Sequence, residues 1–370
     1  MGQYHRPVCI EAEEGLNAYD FDCGAKEGEI GFSRPSPVNA MVALVCARGG
    51  NLPADCSQSP LIGRWAGKRL LVQGDYAKDD DIIDWQGPPL SRLYHAMDTV
   101  EGRTPEELDP AHTPFFKDIS REARDFLEAV CNVRYFDYEQ KVKDGATGRV
   151  IDSWTGTGMV SVRPLARTYG DSGIAEYVLS PEYSEEDLAW LKSRKHLRPQ
   201  DVMRPPRTGD WHGLTSNEIP EGQERVIVNL DTLEFINPTK FGQVPTLAGI
   251  VSLAPKDRDL PILKKAHKEF GSTVVDIAGG LFVMLCHPQR RGGGDIPANA
   301  LEMGGIDSAR KKHARLFKGV EDIKGRWRGG RILGTSTTRY EDWPTTEEVI
   351  ERGTDISDRV LKYLVAISHY

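Results

Sequence analysis

With 370 residues, 39% hydrophobic and 28% charged, the chain has the length of two ordinary domains and the composition of a soluble globular protein. Its net charge of −8 argues against nucleic acid as the main partner, because such binders usually carry a basic excess. The longest apolar run, 277–286, is far too short for a membrane span, so no membrane partner is expected.

Residues 1–6 hold no apolar signal core, and the six cysteines include no Cys-x-x-Cys pair, a pattern that predicts reduced thiols in a cytoplasmic setting. Residues 6–11 cluster apolar and β-branched side chains and read as a strand. The run 40–47 fits a short buried helix or strand, with helix expected because Ala, Met and Leu dominate. An Arg48-Gly-Gly turn, a Gly63-Arg64-Trp65 block, a strand over 68–74 and a Gly74-Asp75-Tyr76 segment follow. Asp118 or Ser120 can cap a helix that buries Phe126, Leu127 and Val130 at helical spacing.

The middle of the chain reads as an insert, 141–219. It comprises a hairpin that turns at Gly156-Thr157-Gly158, a helix over 184–195 and a Pro- and Arg-rich connector over 198–207. The first set of elements then recurs. A strand is predicted over 225–230, an apolar segment over 278–287 and an Arg291-Gly292-Gly293-Gly294-Asp295 turn. Next come Gly325-Arg326-Trp327, a strand over 331–334 and a helix opening at Asp355 or Ser357. Placing residue 2 over residue 222 matches Val8 with Val228, Glu14 with Glu234, Asn17 with Asn237 and Phe21 with Phe241. Blocks repeated in one order predict an α+β protein of two related mixed α/β units in tandem, 1–140 and 220–370, around the central insert.

The Met1-Gly2-Gln3-Tyr4 start, Gly63-Arg64-Trp65-Ala66-Gly67 with Arg69, Gly74-Asp75-Tyr76-Ala77 and the Arg291–Asp295 turn resemble a family of bacterial and phage proteins that begin Met-Gly-Gln-Tyr. The resemblance implies a bacterial or phage origin and no particular activity. The chain departs from the single-unit pattern in its duplication, and carries Gly334-Thr335-Ser336 where the first unit has Gly74-Asp75-Tyr76.

Chemistry is expected first at the arginines and glycines. Consecutive glycines let backbone N–H groups converge on an anion, and a guanidinium supplies a forked donor for phosphate or carboxylate. The candidate ligand contacts are therefore Arg64, Arg69, Arg291, Gly292, Gly293, Asp295, Arg326 and Arg331. The same residues also serve ordinary structure: Gly-Gly-Asp makes tight turns, and arginines pair with nearby carboxylates. Asp75 and Tyr76, at a strand end, are the candidates for acid–base catalysis. His287 is a further acid–base candidate beside the Arg-Gly turn. With no Gly-x-x-x-x-Gly-Lys-Ser/Thr, Gly-x-Gly-x-x-Gly or His-x-x-x-His pattern, neither cofactor nor metal is expected. The leading expectation is a two-lobed binding protein for a small anionic, phosphate- or nucleotide-like ligand. The alternatives are a phage-related structural or assembly protein, with a protein partner or self-assembly, and an enzyme with one active unit.

Overall fold

A computed structural model describes residues 4–48, 59–98, 114–161, 225–241, 277–286 and 317–368, apart from short interruptions within these stretches. The fold is α+β. The elements of the first half are β1 (His5–Cys9), β2 (Glu14–Gly15), a 3-10 helix (Ala18–Phe21), α1 (Pro37–Val45), β3 (Lys68–Gly74), α2 (Leu90–Leu93), β4 (Lys117–Asp118) and α3 (Ser120–Cys131). A hairpin follows, β5 (Val133–Lys143) with β6 (Val150–Ser161). The second half holds β7 (Ile227–Asn229), β8 (Glu234–Ile236), α4 (Pro238–Phe241), α5 (Ile277–Leu285), β9 (Arg331–Gly334), α6 (Thr346–Arg352), β10 (Thr354–Asp355) and α7 (Ser357–Ser368).

Among the described residues one eight-stranded mixed sheet runs β10-β8-β7-β9-β3-β1-β2-β4. The halves meet where β3 pairs antiparallel with β9, with Arg69 opposite Arg331 and Lys68 opposite Ile332. Strand alternation then divides the core into layers. Cys9, Leu70, Val72, Ile227 and Ile332 join the helices α1, α3, α5 and α7 in one continuous cluster. On the opposite face Val8, Ile10 and Leu71 lie under Leu90, Leu93 and Met97, while Val226, Val228 and Leu333 lie under Val349.

Local sequence explains the main supports. Ser36 accepts a hydrogen bond from the Val38 N–H at 3.3 Å, and the Asn39 side chain accepts one from the Ser36 N–H at 3.0 Å. This capping box fixes the start of α1, whose Met41, Val42 and Leu44 are buried. Each Gly-Arg-Trp block is tied to the end of the apolar helix before it. Trp65 N–H donates to the Leu44 carbonyl at 2.7 Å, and Trp327 N–H donates to the Met284 carbonyl at 2.9 Å. Ser120 Oγ accepts from the Asn17 N–H at 2.7 Å, as Ser357 Oγ does from the Asn237 N–H at 2.8 Å.

The halves also reach across their junction. Cys46, after α1, bridges to Gly334 in β9, and Cys286, after α5, bridges to Val72 in β3. The Trp343 indole covers Gly67, while the Trp85 indole covers Gly329. These two glycines have φ of 67° and 66°, a left-handed backbone that glycine adopts without steric cost.

One expectation needs correction. Gly156-Thr157-Gly158 does not turn the chain: these residues lie inside β6, which pairs along its length with β5. Ladder pairing with a long neighbouring strand overrides the local turn preference of glycine. The boundary at 141 therefore cuts β5. The helix over 184–195 and the connector over 198–207 lie outside the described residues, as does the side chain of Val130.

Candidate functional site

Register places Arg69 and Arg331 directly opposite each other, on the sheet face away from the large helices. Directly opposed side chains in an antiparallel pair start about 5 Å apart at Cβ, so two guanidiniums here repel. A carboxylate from each half offsets that repulsion. Glu11 accepts from the Arg69 backbone N–H at 2.7 Å and from Arg69 Nε. Asp231 accepts from the Arg331 backbone N–H at 2.9 Å and from Arg331 Nε at 2.7 Å. Burial pushes the Glu11 carboxyl up, but the bonds from Arg69 outweigh it and hold the group below its ordinary range.

The Arg69 guanidinium also donates from Nη1 to the Gln86 carbonyl at 2.9 Å and lies 5.3 Å from the Trp85 ring centre. Side-chain exposures of 28% for Arg69 and 50% for Arg331 leave both reachable from solvent. Arg328 lies in the turn that enters β9. Burial lowers its pKa, and Asp81 is the charge that opposes the effect. Both guanidiniums give Nε to a carboxylate of their own half and Arg69 gives Nη1 to Gln86, so an anion with several oxygens on this face would meet their other Nη donors.

The other predicted arginines are placed elsewhere. Arg64 pairs with Glu14 and Glu122, and Trp65 Nε1 donates to Glu14 at 2.9 Å. Arg326 pairs with Glu234 at 2.6 Å and Glu321 at 2.8 Å, and Trp327 Nε1 donates to Glu234 at 3.2 Å. In both halves one carboxylate thus collects the indole and the guanidinium of a Gly-Arg-Trp block. Arg291, Gly292, Gly293, Asp295 and His287 lie outside the described residues.

Asp75 is at the far end of β3 from Arg69, roughly 20 Å away by strand rise, so the two do not share a site. Asp75 accepts from the Tyr4 N–H at 3.1 Å, and Tyr76 beside it is partly buried. Burial raises the Asp75 carboxyl above its usual value, against the backbone bond from Tyr4 and the nearby His95. His95 Nδ1 lies 2.6 Å from Asp98, and Asp98 also binds Arg6, whose guanidinium lies 4.5 Å from the Tyr94 ring centre. Burial pushes the Asp98 carboxyl up, but Arg6 and His95 hold it below its ordinary range.

Sequence reading missed Arg6, His95 and Asp98. The one local trace was His95-x-x-Asp98, since Arg6 joins them only through the fold. Among the described residues no group of three or more His, Cys, Asp or Glu is placed to hold a metal ion. No helix among them is long and apolar enough to cross a membrane. Comparison with protein-family models, curated proteins and solved structures finds no match.

Proposed function

We propose that the chain is a duplicated, two-lobed binding protein for a small anionic ligand of phosphate or nucleotide type, held where the lobes join. The opposition of Arg69 and Arg331 carries this reading. An anion with two or more oxygens between the guanidiniums gains charge-assisted hydrogen bonds from both, in addition to those that Glu11 and Asp231 accept. Duplication is supported by the strand order, which runs alike outward from the β3–β9 junction, and by the paired Trp–Glu and Ser–Asn contacts. The Gly-Arg-Trp arginines then brace each lobe, and ligand contact falls to Arg69 and Arg331.

Titration calorimetry against orthophosphate, pyrophosphate and a panel of nucleotides tests the proposal. Replacing either Arg69 or Arg331 with Ala is expected to weaken binding by about 1.5–3 kcal/mol, the worth of a hydrogen bond to a charged group. Absence of binding at millimolar ligand sinks the reading, and so does equal affinity in the wild type and the double variant.

A second reading is favoured by one observation, the hold of Asp98 on His95 Nδ1 at 2.6 Å on the side of the first half that carries Asp75. A carboxyl raised by burial beside a carboxylate-held imidazole is suited to proton transfer. Mass spectrometry of metabolite extracts, with Asp75→Asn as the control, tests it. Turnover that survives the substitution removes Asp75 from any such role.

A further inference from the structure

The contacts around the Arg69–Arg331 pair are reciprocal. Gly67 N–H donates to the Ile332 carbonyl at 2.7 Å, and Gly329 N–H donates to the Leu70 carbonyl at 2.7 Å. Ile10 N–H donates to the Arg69 carbonyl at 3.0 Å, and Leu230 N–H donates to the Arg331 carbonyl at 2.8 Å. The Cys46–Gly334 and Cys286–Val72 bridges and the two indole–glycine contacts repeat the exchange. Swapping the halves turns each contact into its mate, so the junction has a local two-fold axis. Such an axis passes through one opposed position of an antiparallel pair. Here that position is Arg69 with Arg331, whereas Lys68 faces Ile332, whose counterpart is Leu70.

The donors obey the same relation. Each arginine gives its backbone N–H and Nε to one carboxylate, Glu11 or Asp231. Those carboxylates sit in the turns that follow β1 and β7, the strands outside β3 and β9 in the sheet. Three strand spacings, about 14 Å, separate β1 from β7, so the anchors draw the two guanidiniums away from the axis. Among the described residues, Arg69 Nη2 and both Nη groups of Arg331 have no hydrogen-bond partner. The donors left for a ligand therefore stand on either side of the axis, farther apart than the Cβ atoms that carry them.

We propose that the ligand is a bis-phosphoryl anion with a two-fold axis of its own, either pyrophosphate or the pyrophosphate bridge of a symmetric dinucleotide. It binds once per chain, on the axis, with one phosphoryl group at each arginine. The proposal rests on the anion-binding reading above and narrows it. A bridging oxygen on the axis sends equal sets of terminal oxygens to both guanidiniums, where each meets a charge-assisted donor pair. A lone phosphate spans less of the gap and serves one guanidinium well at the expense of the other.

Calorimetry on the full chain compares inorganic pyrophosphate with orthophosphate, and a symmetric dinucleoside pyrophosphate with the matching nucleoside monophosphate. The first pair probes the free anion and the second its nucleotide form. In at least one pair the two-phosphoryl ligand is expected to bind tighter by about tenfold or more, from a second set of charged hydrogen bonds, with a single site per chain. Arg69→Ala and Arg331→Ala are each expected to erase that preference. Arg69→Lys and Arg331→Lys, which keep the charge and lose the fork, take their place if an Ala variant does not fold. Equal affinity within both pairs, two independent sites per chain, or a preference that survives either substitution overturns the symmetric site and leaves anion binding standing. Absence of all binding ends both.

Discussion

The Trp343 indole, from the second half, closes over Gly67 of the first so tightly that a Cβ on Gly67 would stand 2.1 Å from a ring carbon. The glycine also has φ of 67°. Gly67→Ala therefore meets both a ring and a disfavoured backbone. A loss of about 2–4 kcal/mol is expected, combining left-handed strain with overpacking, and denaturant unfolding measures it. Trp343→Ala combined with Gly67→Ala should recover the overpacking part alone. A neutral single variant would show that the indole moves aside freely.

Glu14 is buried and accepts from both the Trp65 indole and Arg64. Glu14→Ala strands two donors that water reaches poorly, at an expected cost of about 3 kcal/mol. Glu14→Gln keeps one acceptor and should cost less. The comparison is read from urea midpoints at constant slope, and equal midpoints for the wild type and Glu14→Ala contradict the buttress role.

Acid should weaken the fold through the paired carboxylates. At Glu11, Glu234 and Asp355 burial alone would raise the carboxyl, but hydrogen bonds from Arg69, from Arg326 and Trp327, and from Ser357 and Lys240 lower it. Groups depressed in the folded state contribute stability above their unfolded pKa and lose it as pH falls through the folded value. Stability measured by denaturant is therefore expected to decline below about pH 4, the unfolded carboxylate range. A curve that stays flat to pH 2.5 would show these pairs to be unimportant.

Burial pushes the Cys46 thiol up to about 11 and the Cys9 thiol up to about 12. Thiolate is the reactive form, so both should resist alkylation at pH 7.5 in the folded protein. Peptide mapping after iodoacetamide treatment checks this, with full labelling in denaturant as the reference. Rapid labelling of Cys46 without denaturant would mean that the end of α1 opens readily.

Much of the local structure was legible in particular residues. Asp118 with Ser120 announces α3, whereas the cap at Ser36 and Asn39 starts α1 at Pro37, ahead of the segment expected from residue 40. The apolar stretch Ile277–Leu285 forms the expected helix, and Lys68–Gly74 and Arg331–Gly334 form the expected strands. Gly156-Thr157-Gly158 misled because its turn signal is local, whereas the ladder from β5 is not. Among the candidate ligand residues, Arg64 and Arg326 looked equivalent to Arg69 and Arg331 in sequence. Side-chain surroundings separated them, since Glu14 and Glu234 take up the first pair together with the indoles.

The order of nearby side chains determined the helices and the strands, because caps and hydrophobic periodicity act within a few residues. Tertiary structure alone decided that β3 meets β9, that Arg69 faces Arg331, and that Lys240 reaches Asp355. Those relations depend on strand register and on packing between residues far apart in the chain, and no local propensity encodes them.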